Sequence, residues 1–199
     1  GTRVVVCGFD PIGEVFELAS AAHVTFQAKT DFAGCAFLPD GRVITAADDV
    51  SVRDPATGAV VKSFPLPARA SSLALGPDGR VAVTTVDGTL WLWSGGEPTL
   101  TATKLPLGGE SAFDRAGKTL YSKGNDQIVR AFDVANPSAP PVELFRDERS
   151  HLANLVVDRA TDRIAVGMWD LDGARRSRVL GKTFDLDGNI HAWAGAWGV

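Results

Sequence analysis

A short phrase recurs along the chain at a nearly fixed interval, and that interval limits the fold more than any other feature. Pro39-Asp40-Gly41-Arg42-Val43-Ile44 returns as Pro77-Asp78-Gly79-Arg80-Val81-Ala82. Weaker copies stand at Arg115-Ala116-Gly117-Lys118-Thr119-Leu120 and Thr161-Asp162-Arg163-Ile164-Ala165, and the chain opens inside one, Gly1-Thr2-Arg3-Val4-Val5. The basic markers Arg3, Arg42, Arg80, Lys118 and Arg163 are spaced by 39, 38, 38 and 45 residues. A beat of this length describes a supersecondary unit that buries its faces only by stacking on copies of itself.

The chemistry inside each unit is that of strands. Every marker follows a Gly or Asp turn and begins a run rich in β-branched residues, such as Val43-Ile44-Thr45 or Val81-Ala82-Val83-Thr84-Thr85. Asp-Gly supplies the positive-φ positions of a tight hairpin. A second turn comes next, at Asp48-Asp49, Asp87-Gly88 or Asn125-Asp126, and then a strand ending in a pair such as Phe16-Glu17, Arg53-Asp54, Trp93-Ser94, Phe132-Asp133 or Phe184-Asp185. Pro55-Ala56-Thr57-Gly58 then turns into an outer strand, Val60-Val61-Lys62-Ser63-Phe64. Ahead of the markers lie segments rich in small residues: Phe32–Phe37, Ser71–Leu75, Gly109–Phe113 and His151–Val157. In a radial sheet the innermost strands crowd towards the axis, where Gly, Ala and Ser permit close approach. Helical periodicity is absent.

Four short strands in about 40 residues is the arithmetic of a β-propeller blade. The expected fold is therefore all-β, with four-stranded antiparallel blades over residues 1–31, 32–69, 70–108, 109–150 and 151–199. The first unit lacks its innermost strand, because Arg3 already opens the second. The expectation is thus about five blades of a larger ring of about seven. The lone methionine, Met168, and an initial Gly fit a processed or excised chain.

Leu38-Pro39-Asp40-Gly41-Arg42, Val52-Arg53-Asp54-Pro55-Ala56-Thr57-Gly58 and Asp87-Gly88-Thr89-Leu90-Trp91-Leu92-Trp93 resemble the repeats of bacterial WD40 proteins, over nearly the whole of Arg3 to Trp197. The repeats are degenerate. No Trp-Asp pair ends a third strand, Trp169-Asp170 falling on a second strand instead, and the Gly-His pair that opens many such units is missing, with His151 alone near that position. The resemblance implies a non-catalytic scaffold that binds a protein, a peptide or another domain of its own polypeptide. The rival reading is a propeller enzyme or small-molecule sensor of the lactonase or quinoprotein type, with an axial metal or cofactor; Glu110 and Asn154 are the best inner-strand candidates for it.

Composition supports a folded chain: 45% of residues are hydrophobic and 22% charged. A net charge of −4 gives no field attracting nucleic acid or an anionic membrane. No apolar run reaches the ~20 residues that span a bilayer as a helix. Cys7 and Cys35, each in an apolar stretch, read as two buried free thiols, which favours a reducing, cytoplasmic setting. Ala, Gly, Val, Arg and Asp are abundant, as in a GC-rich bacterial source.

Enzyme motifs fare poorly. Gly181-Lys182-Thr183 has Arg176 where a phosphate loop needs Gly, and it sits in a strand. His23, His151 and His191 are scattered, without metal-ligand spacing. No Gly-x-Ser-x-Gly elbow occurs. Asp170-Leu171-Asp172-Gly173 and Asp185-Leu186-Asp187-Gly188 lack the remaining ligands of a calcium loop and read as hairpin turns. We therefore expect neither metal nor cofactor and no catalytic residue. In a propeller the connections from outer to next inner strand share one end with the turns between second and third strands. That end would collect Asp49, Arg69, Asp87, Glu110, Asp126, His151, Trp169 and Arg175 as binding residues. The segment from Asp170 to Arg176 is longer than its counterparts and adds Asp172 and Arg176.

Overall fold

Nineteen strands, and no helix among the described residues, make up the computed structural model. It describes residues 1–8, 10–93, 103–105, 109–146, 150–158, 163–170, 179–184 and 190–195. Two compact units result, Gly1–Pro106 and Leu107–Val199.

The first unit holds three antiparallel sheets. β1 (Arg3–Gly8), β2 (Asp10–Glu17) and β3 (His23–Gln27) form a three-stranded sheet in chain order. β4 (Gly34–Phe37), β5 (Val43–Ala46), β6 (Asp49–Arg53) and β7 (Val60–Pro65) form the second, again in chain order. The third is β8 (Ala70–Leu75), β9 (Val81–Thr85), β10 (Leu90–Trp93) and β11 (Thr103–Leu105). The turns follow from the repeated phrase. Gly41, Gly79 and Gly88 sit at φ of 87°, 81° and 80°, where a Cβ would be strained. Asp40 and Asp78 each accept the backbone N–H two residues on, from Arg42 at 3.0 Å and Arg80 at 3.2 Å.

Burial divides by position within a sheet. β5 and β9 are buried at every residue, so both their faces are covered. Alternation then assigns each side chain to one neighbour. Val43 joins Val15, Phe26, Phe32 and Ala47 in a core that reaches the first sheet, while Ile44 and Ala46 join Val81, Val83 and Trp93 in a core that reaches the third. Outer strands bury little: Phe26 in β3 and Phe64 in β7 are the only fully buried residues of theirs.

Cys7 and Cys35 are not free thiols but a disulfide, joining β1 of the first sheet to β4 of the second with their Cα atoms 6.1 Å apart. The apolar stretches hid this, because a packed cystine is as apolar as a packed thiol and the partners are 28 residues apart.

The second unit holds two sheets. β12 (Ser111–Phe113), β13 (Thr119–Lys123), β14 (Ile128–Asp133) and β15 (Val142–Arg146) make one, and β16 (Ser150–Asp158), β17 (Arg163–Asp170), β18 (Val179–Phe184) and β19 (Ile190–Gly195) the other. Tyr121, Val129, Phe145, Leu152, Leu155, Ile164 and Val166 form the core between them. Phe145 occupies the same penultimate place in its outer strand as Phe26 and Phe64 do in theirs. β16 breaks register with β17 between Leu152 and Leu155, a bulge that leaves backbone groups without ladder partners.

Candidate functional site

In the first unit, backbone hydrogen bonds stitch the outer-to-inner connections onto the turns between second and third strands. Ala70 N–H donates to the Ala47 carbonyl at 2.7 Å, and Val86 N–H to the Arg69 carbonyl at 2.9 Å. These bonds bring Arg69 beside the turn holding Asp87, and the residue after Arg69 beside the turn that leads into Asp49. Arg69 also reaches Asp31 at 3.9 Å, with both side chains close to half exposed. Within its own turn the Asp87 carboxylate accepts the Thr85 hydroxyl at 2.6 Å and the Thr89 N–H at 3.0 Å.

Asp49 has a different setting. Its two oxygens accept hydroxyl protons from Ser51, at 3.0 Å, and from Ser63. Two residues further along the same face stands Arg53, 5% exposed. Its Nε donates to the Thr45 hydroxyl at 3.3 Å and its Nη atoms to the carbonyls of Gly58 at 3.2 Å and Gln27 at 3.0 Å. The guanidinium lies 5.2 Å from the Phe26 ring centroid and 5.9 Å from that of Phe32, a cation–π arrangement. Burial pushes its pKa down, and Asp49 pushes it back up. Arg53 thereby ties the second sheet to the outer strand of the first.

In the second unit, Glu110, Lys123 and Gln127 converge on the bulged strand β16. The Glu110 carboxylate accepts the Leu155 N–H at 3.0 Å, Lys123 Nζ donates to the Leu152 carbonyl at 2.8 Å, and Gln127 Oε1 accepts the Leu152 N–H at 2.6 Å. Burial raises the Glu110 pKa, against the pull of the Leu155 N–H and of Lys123, and burial lowers that of Lys123, against the pull of Glu110. Glu110 is thus an inter-sheet fastener for backbone groups that the bulge released. Asp126 is paired with Arg130 at 2.9 Å through Nη1 and again through Nη2, and these bonds hold its carboxyl below the usual range.

His151 and Trp169 are backbone register partners in the β16–β17 ladder. Asp172, Arg175 and Arg176 lie outside the described residues. Asn154 sits exposed in the bulge. Among the described residues, no group of three or more His, Cys, Asp or Glu side chains is placed to hold a metal. Gly181-Lys182-Thr183 lies within strand β18. Sequence reasoning missed Arg53, Lys123 and Gln127. Alternation along β6 was the available signal for Arg53, since it puts Asp49, Ser51 and Arg53 on one face; nothing local marks the other two.

Packed antiparallel sheets of three or four strands, each paired in chain order and with β5 and β9 buried on both faces, define the class: the chain has a β-propeller fold. Comparison with solved structures agrees. The chain is similar to the Cps50 (Swd1) β-propeller domain of Myceliophteria thermophila, with a TM-score of 0.75 and 13% sequence identity over 98% of this chain and 68% of that one. No family model and no curated protein matches the sequence.

Proposed function

We propose that the chain is a non-catalytic, WD40-like scaffold that binds another protein, or another domain of its own polypeptide, at the loop ends of its sheets. One observation carries this reading: the stitching at the end of the first unit sets the half-exposed Asp31 and Arg69 beside the exposed turn of Asp87. Opposite charges side by side and open to solvent suit the polar rim of a protein interface, where complementary charge directs partner choice. His151, Trp169, Asp172, Arg175 and Arg176 are the candidate binding residues of the second unit. The Cys7–Cys35 bond supports an oxidising compartment over the cytoplasmic expectation, since disulfides seldom persist among cytosolic thiols.

Capture of the partner by the immobilised chain, with identification by mass spectrometry, tests the reading. Arg69→Glu should weaken capture and leave the melting temperature unchanged, whereas Val61→Lys on the exposed outer strand β7 should leave capture intact. Loss of the partner through Val61→Lys alone, or stoichiometric calcium in the purified protein, would replace the reading with its rival.

A further inference from the structure

A cleft of about 520 Å³ lies between the first two sheets, and it is lined by one fixed charge of each sign. Asp49 is oriented by the Ser51 and Ser63 hydroxyls, and no lysine or arginine among the described residues forms an ion pair with it. Arg53, also lining the cleft, has neutral acceptors only: a hydroxyl and two carbonyls. Three bonds leave two of the five guanidinium N–H groups without a protein acceptor. Lys29 and Asp48 add a further charge of each sign, and Ala28, Val60 and Pro65 supply apolar surface.

A purely anionic ligand would meet Asp48 and Asp49, and a purely cationic one Lys29 and Arg53. A ligand carrying both charges satisfies each. Asp49 and Arg53 are four strand positions apart, about 13 Å along β6, and their side chains reach into the cleft and shorten that span. An extended chain of three residues is about 10 Å long. We propose that the cleft binds a zwitterionic peptide of about three residues, its carboxylate on Arg53 and its ammonium group on Asp49. The proposal stands apart from the scaffold reading, because a macromolecular partner can cover the loop ends whether or not the cleft is filled.

Calorimetric titration of the whole chain with trialanine, N-acetyl-trialanine and trialanine amide tests it, since each capped peptide lacks one charge. Trialanine should bind, and each capped form should bind at least about tenfold more weakly. Asp49→Asn should weaken trialanine by a similar factor and leave the acetylated peptide unaffected. If that variant loses its native near-UV circular dichroism, the capped peptides on the parent chain still decide. Absence of heat at millimolar trialanine, or equal affinity for the three peptides, overturns the proposal.

Discussion

Arg53 ends the third strand of its sheet where the next sheet ends its own with Trp93, and both meet a buried phenylalanine from the preceding outer strand region. Trp93 shares a core with Phe64, and Arg53 lies over Phe26. One slot in the repeat is thus filled by indole in one copy and by guanidinium in another. The sequence displays Arg53 as a strand-end residue but not as a fastener, because its acceptors, Gln27 and Gly58 backbone carbonyls, carry no side-chain signature. Arg53→Met keeps the apolar stem and strands those acceptors, so it should cost about 2–4 kcal/mol in denaturant unfolding; a loss below about 0.5 kcal/mol would deny it that role. Glu110 supports a pH prediction. Its folded-state pKa is raised above the ordinary 4.5, chiefly by burial. The folded state therefore holds that proton more tightly than the unfolded chain does. The associated stability is fully present below 4.5 and is lost as pH rises through the raised pKa. Between neutral pH and 4.5, Glu110→Gln should flatten this component of the unfolding profile, and an unchanged slope would contradict it.

At the scale of elements, hairpin turns were the most legible feature. The repeated Asp-Gly phrase locates Gly41 and Gly79, and Gly117 keeps the conformation in a weaker copy, at a φ of 68°. Gln127 shows where legibility ended. It takes the turn position that Gly88 fills in the preceding sheet, at a φ of 61°, although it carries a Cβ. Its amide explains the exchange, since it accepts the Leu152 N–H and donates to the Asn125 carbonyl at 3.1 Å. A long-range bond thus offsets a local strain of about 1 kcal/mol. Gln127→Ala loses the bond and keeps the strain, whereas Gln127→Gly loses only the bond. The alanine variant should therefore be the less stable by about 1 kcal/mol, and a reversed order would remove the argument. Gly109 is a simpler case. A Cβ there would lie 1.8 Å from the Lys123 carbonyl oxygen, so Gly109→Ala should displace the approach to β12 and cost about 1–3 kcal/mol.

At the scale of the whole molecule, a period of about 40 residues was enough to foresee radial sheets, whereas the candidate binding residues could be named only by their place at strand ends. Placement depends on the repeat, but what a side chain there does depends on neighbours remote in sequence. Glu110 was read as a surface or axial group and fastens a bulge, because the bulge in β16 left no sign in its composition. The Cys7–Cys35 bond closes a loop of 28 residues, and its removal by reduction or by paired Ser substitution should cost about 3 kcal/mol. The first two sheets are joined by sulfur at β1 and β4 and by Arg53 between β6 and β3. Two slabs pinned near both margins lack a free side about which to swing apart. Their slowest amide protons should exchange in a single cooperative step, at one shared protection factor, until reduction splits that step in two.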